Sequence, residues 1–170
     1  MTFSLYDASV PVFRQMLGSL DALLDKGVAH ATAKGFDPSV LIQARLAPDM
    51  FALARQVQIA CDSAKGAAAR LAGVEIPAHP DTEQTFDELK ARIAKVLVFV
   101  NSIDRAQIDG QEDRGVTLAM RDRTLEFKAG NYLLHWALPN LYFHVGSAYS
   151  ILRHNGVEIG KRDFLGKFDA

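Results

Sequence analysis

Four long stretches of the chain carry apolar side chains at alternating spacings of three and four, the period that lines one face of an α-helix. The first is marked by Val10, Phe13, Leu17, Leu20, Leu24 and Ala31. Ser9 is placed to cap it, Pro11 sits in the first turn where its missing N–H leaves nothing unpaired, and Gly35 stops it. Asp37-Pro38 restarts a short helical piece through Val40 and Leu41, which Ala47-Pro48-Asp49 breaks. The second long helix reads Met50, Leu53, Val57, Ala60, Ala64, Ala67 and Leu71, with Ala54, Cys61 and Ala68 widening the stripe and Gly73 ending it. Its alanines let a neighbouring backbone approach closely. The third opens near Asp81 or Thr82 and shows the cleanest stripe: Phe86, Leu89, Ile93, Val96, Leu97, Val100 and Ile103.

The period then changes to two. Val116, Leu118 and Met120 alternate with polar or small neighbours, as do Leu125 and Phe127 after Asp122, which predicts a hairpin at about 115–128. The last helical region runs from about Asn131 to Asn155 with a seam of Leu134, Leu138, Leu141, Val145, Ala148 and Leu152; Pro139 either kinks it or begins a new helix. After Gly156 the tail, 157–170, has no helical period. It reads as extended chain packed through Ile159, Phe164 and Leu165. The expected fold is all-α: one domain over 1–170, an up-and-down four-helix bundle with a small β-hairpin inserted before the last helix.

Composition narrows the function classes without choosing one. Nineteen basic against 20 acidic side chains give a net charge of −1, which argues against nucleic acid as partner. No run approaches the roughly 18 apolar residues of a membrane span, and Met1 to Val10 has no signal-like block. The single cysteine, Cys61, excludes an internal disulfide or Cys-Cys metal cluster and fits a reducing, cytoplasmic location.

Among the five histidines, His30, His79 and His154 read as exposed or structural, at helix ends or in a loop. His135 and His144 are boundary positions on opposite flanks of the last seam, so a straight helix cannot bring them to one metal ion. Four before His144 stands Asn140, and four after it Ala148. Gln56, Gln58, Asp62 and Ser63 on the second helix are candidate partners from across the bundle. Cys61, amid alanines, reads as a buried, inert thiol. Trp136, Tyr142, Phe143 and Tyr149 spread aromatics around the last helix, which calls for cover by the hairpin and tail and for a homodimer through this region. Walker, Gly-x-Ser-x-Gly and His-Glu-x-x-His motifs are absent.

The run Tyr132-Leu133-Leu134-His135-Trp136-Ala137-Leu138-Pro139-Asn140-Leu141-Tyr142-Phe143-His144-Val145, followed by Leu152-Arg153-His154-Asn155-Gly156-Val157 and Gly160-Lys161-Arg162-Asp163, resembles an uncharacterised bacterial and fungal family known only as a domain of unknown function. Arg45-Leu46-Ala47-Pro48-Asp49-Met50 and Gln56-Val57-Gln58 resemble the same family's second-helix entry. That family is similar to the DinB/YfiT-like helical bundles, whose better-known members are regarded as metalloenzymes, some acting as thiol-dependent transferases. The resemblance implies a metal site of one histidine on the second helix and two on the last, four apart. His144 matches the final position, Asn140 stands at the other last-helix position, and the second helix has no histidine. No metal or other cofactor is therefore expected. The reading that follows is a ligand-binding or interaction protein of unknown small-molecule ligand, its interhelix pocket bordered by His144, Asn140, Gln56, Asp62 and Tyr149. The alternative is a zinc- or nickel-dependent or thiol-dependent transferase or hydrolase with a noncanonical site around His144, Asp62 being its carboxylate partner.

Overall fold

The structure is a computed structural model and describes residues 4–167; residues 1–3 and 168–170, the ends of the predicted N-terminal stretch and tail, lie outside it. Four long helices form the body: α1 (Val10–Lys34), α3 (Leu53–Ala72), α4 (Phe86–Asn101) and α7 (Leu138–His154), with the short α2 (Ser39–Gln43) and α5 (Arg105–Ile108) in the connections. Around the bundle the neighbours run α1, α4, α3, α7, so α1 and α3 face each other across the diagonal. The most extensive pairing joins α3 to α7. Ala60, Ala64, Ala67 and Ala68 of α3 are fully buried, and their small side chains bring the two backbones together.

The predicted hairpin is present. β1 (Gly115–Ala119) pairs antiparallel with β2 (Thr124–Lys128), from Gly115 opposite Lys128 to Ala119 opposite Thr124. Val116 and Leu118 turn inward. Phe127 meets both Tyr132 and Trp136 with ring centroids 6.1 Å apart, so the hairpin covers the start of the last helical region.

That region differs from a kinked α-helix. A first turn, α6 (Ala129–Tyr132), leads into a π-helical turn at Leu133–Ala137 before α7 begins. Pro139 has no N–H to offer the carbonyl four residues back, and the widened turn absorbs that gap. The wide turn also shifts the register. Leu133 and Ala137 face the core, while Leu134, expected in the seam, is 54% exposed. Beyond Pro139 the predicted seam holds through Leu141, Val145, Ala148 and Leu152, all fully buried.

Helix α4 begins later than Asp81 or Thr82. Thr85 accepts from the Glu88 N–H and Glu88 reaches back to the Thr85 N–H, a reciprocal cap that fixes the start at Phe86. Ser9 stands at the N-terminus of α1, but its hydroxyl donates to the Leu5 carbonyl at 2.7 Å instead of capping. The tail is extended only at first. Val157 and Ile159 are buried, then α8 (Lys161–Leu165) forms and docks on α1. Ser19 Oγ lies 2.7 Å from the Phe164 carbonyl, Gln15 Nε2 donates to the Leu165 carbonyl at 2.9 Å, and Lys26 pairs with Asp163 at 2.6 Å. Among the described residues no helix is long and apolar enough to cross a membrane.

Candidate functional site

The α3/α7 seam carries the polar groups that the sequence singled out. Gln56 is almost fully buried on α3, and its Oε1 lies 2.8 Å from Nδ1 of His144 on α7. Gln56 Nε2 donates to the Phe51 carbonyl at 3.2 Å. With the amide nitrogen so committed, Oε1 must accept, and His144 carries its proton on Nδ1. The lone pair of Nε2 is then left as the acceptor. Burial, and secondarily the positive charge of Arg55, hold His144 below the ordinary 6.5. A histidine whose folded value is lowered contributes stability that is fully present above the unfolded value and is lost as pH falls through the folded one. An NMR titration of the His144 ring is expected to give a midpoint below 6.5, rising toward 6.5 in the unfolded chain.

One turn earlier on α7, the Asn140 side chain donates to the Trp136 carbonyl of the π-helical turn at 2.7 Å. Asn140 also lines a cavity of about 260 Å³ with Asp62, Ser63 and Arg70 of α3, Leu118 to Met120 of the hairpin, and Tyr132, Trp136 and Ala137. Burial pushes the Tyr132 phenol up, partly offset by Arg70, so it stays protonated near neutral pH. A second, more open cavity of about 510 Å³ shares Asp62 and Arg70 and continues past Lys65, Gly66 and His79. Burial, then the charges of Lys65, Lys95 and Arg92, hold His79 below its ordinary value; its Nδ1 is buried without a partner. The largest depression, about 780 Å³ between α1 and α8, has no aromatic wall. Its Ser19, Gln15 and Asp163 are already engaged in docking the tail.

Four of the five predicted pocket residues, Gln56, His144, Asn140 and Asp62, thus lie along one seam, in two neighbouring places. Tyr149 does not join them. It packs edge-on against Phe164 with centroids 6.0 Å apart, because it points from α7 toward the tail. Asp62 is not the partner of His144 either: it is bound by Lys65 and by Arg92, each at 2.9 Å. Arg92 is the residue that the sequence reading missed. Its side chain is 1% exposed and ties together Asp62, Asp81 at 2.9 Å, Glu83 at 3.0 Å and the Pro80 carbonyl at 3.0 Å, so that one guanidinium joins α3, α4 and the 73–85 link. The available signal was a charge set inside the stripe of Leu89, Ile93 and Val96. Cys61 is fully buried, and burial pushes its thiol up to about 12, so it offers no nucleophile.

The donors at the seam do not suit a transition metal. One imidazole, with Nδ1 committed to an amide, and two neutral amides are a poor set for zinc or nickel, which take three or four N, O or S donors. Among the described residues no group of three or more His, Cys, Asp or Glu side chains could hold a metal ion.

A helical bundle with its polar groups along the α3/α7 seam and a hairpin before the last helix is the DinB-like class. The chain is similar to a DinB family member protein from Shewanella denitrificans, known from a 1.83 Å crystal structure, with 43% identity and a TM-score of 0.88 over 98% of this chain and 94% of that one. Residues 5–165 match the family described as Domain of unknown function (DUF1993), and the chain belongs to it. No curated protein matches.

Proposed function

We propose that this member of the family is a cytoplasmic small-molecule binding protein that works without the three-histidine metal site that the DinB-like resemblance implies. The observation that carries this reading is the Gln56 to His144 hydrogen bond. An amide faces the matched histidine, and Asn140, one turn earlier on α7, lines a cavity walled by aromatic and polar side chains. Aromatic walls with a few polar groups between them are what a small-ligand site needs to hold and orient its ligand. Thermal-shift screening of the tag-free protein against a metabolite library tests it. Compounds that raise the melting temperature of the wild type but not of Asn140→Leu are the expected result; no shift from any compound contradicts the reading.

Pairing of two copies through the last helix belongs to the same proposal. The hairpin covers Trp136 and the tail covers Tyr149, but neither reaches Phe143, which is 59% exposed beside the exposed Tyr142. Light scattering at micromolar concentration is expected to give twice 18.6 kDa. A stable monomer would contradict it.

A further inference from the structure

The smaller cavity contains an arginine without a carboxylate partner. Arg70 contacts Tyr132, its Nη1 3.5 Å from the phenol oxygen and its guanidinium carbon 6.0 Å from the ring centroid. It takes part in no ion pair among the described residues. Asp62 at the same rim is already neutralised by Lys65 and Arg92. The two cavities that meet at Asp62 and Arg70 are lined by two cations, Lys65 and Arg70, and one carboxylate. The excess is positive.

The fold makes room for that guanidinium. Gly66 lies buried in the interior of α3, one turn before Arg70, where glycine is the poorest helix former after proline. A Cβ at this position would stand 2.6 Å from Arg70 Nη1. Glycine therefore leaves room for the guanidinium to lie back across its own helix, at the rim that the two cavities share. Trp136 and Tyr132 line the same cavity with their aromatic rings, and Ser63 and Asn140 add hydrogen-bonding groups.

We propose that this cavity binds a small organic carboxylate with a planar apolar body, the carboxylate on Arg70 and the flat face against Trp136. An arginine fork matches a carboxylate with two parallel hydrogen bonds, and an indole wall favours a ring over a branched chain. A volume of about 260 Å³ lies below the roughly 300–1,000 Å³ of sites for drug-sized ligands, which suits a single-ring molecule. The assignment rests on the small-molecule binding reading given above and names its ligand class.

Trp136 is the only tryptophan, so intrinsic fluorescence reports on this cavity directly. Benzoate, titrated at constant ionic strength, is expected to change that fluorescence saturably, and benzamide, the same ring without the charge, to bind at least about tenfold more weakly. Arg70→Gln should weaken benzoate by a similar factor with its circular dichroism unchanged. Gly66→Ala is the sharper variant: it should keep or raise the melting temperature, since alanine is the better helix former, yet weaken benzoate by displacing the guanidinium. It also decides the matter should Arg70→Gln fail to fold. Equal affinity for benzoate and benzamide, no saturable response to benzoate, or wild-type benzoate binding by folded Gly66→Ala overturns the assignment. A neutral or cationic library compound whose thermal shift is lost in Trp136→Leu overturns this ligand class while leaving the binding reading intact; absence of any ligand overturns both.

Discussion

Arg92→Leu is expected to destabilise the protein by about 3 kcal/mol, the scale seen when one partner of a buried ion cluster is removed. The loss does not come from the guanidinium alone. Without it Glu83, which is 12% exposed, keeps the Gln58 amide at 2.9 Å and its own backbone N–H but no cation, and Asp62 retains only Lys65. Arg92→Lys should recover a small part, because one ammonium cannot reach Asp62, Asp81, Glu83 and the Pro80 carbonyl together. Urea unfolding of the three proteins measures both effects. The same cluster sets an acid dependence. Burial pushes the Glu83 carboxyl up, but hydrogen bonds from its own backbone N–H, from Arg92 and from Gln58 outweigh this and hold it below the ordinary 4.5. A carboxylate held low in the folded state contributes stability above the unfolded value that is lost as pH falls through the folded one. The wild type should therefore lose stability below about pH 4.5. Arg92→Leu should show a flatter profile there.

The second large effect is a gain. Gln56→His together with Asn140→His would place two further imidazoles beside His144, one across the α3/α7 seam and one a turn earlier on α7. Asn140 stands where the DinB-like resemblance puts the other last-helix ligand, and Gln56 is the second-helix residue that faces His144. Three imidazoles with an open fourth position suit zinc. With zinc at a thousand times its dissociation constant, binding would stabilise the variant by about 4 kcal/mol, a rise in melting temperature on the order of 10 °C for a chain of this size. The wild type, with its two amides, should show no such rise. A folded double variant indifferent to zinc would mean that the seam lacks the geometry, and not only the ligands, of the metal site that the resemblance implies.

Much of this arrangement can be read from the sequence, and the misses have physical causes. The stripes on α1, α3 and α4 and the period-two alternation at 115–128 gave the right elements because each buries one face against a neighbour. The start of α4 was misplaced since Asp81, Thr82 and Thr85 are all competent caps; the reciprocal spacing of Thr85 and Glu88 directly before Phe86 is the deciding signal. Leu134 was assigned to the core on a uniform 3.6-residue period, which the π-helical turn before Pro139 interrupts. The same turn helps to set Trp136 and Asn140 around the cavity, so the departure from the period lies next to the candidate site. At that site, Gln56 and His144 were legible as boundary residues on facing helices. Tyr149 was misassigned because helical angle alone does not say which neighbour covers a flank, and here the tail does. Arg92 and Arg70 belong to no motif, and their only signals are local: one interrupts an apolar stripe and the other follows a mid-helix glycine by one turn.

We propose that the α3/α7 seam serves an organic ligand and not a metal ion. Elemental analysis of protein purified without a histidine tag, alongside His144→Ala, tests it most directly. Far less than one zinc or nickel per chain in both proteins, and a wild-type melting temperature unchanged by either metal, are expected. About one metal ion per chain in the wild type, lost in His144→Ala, would contradict it.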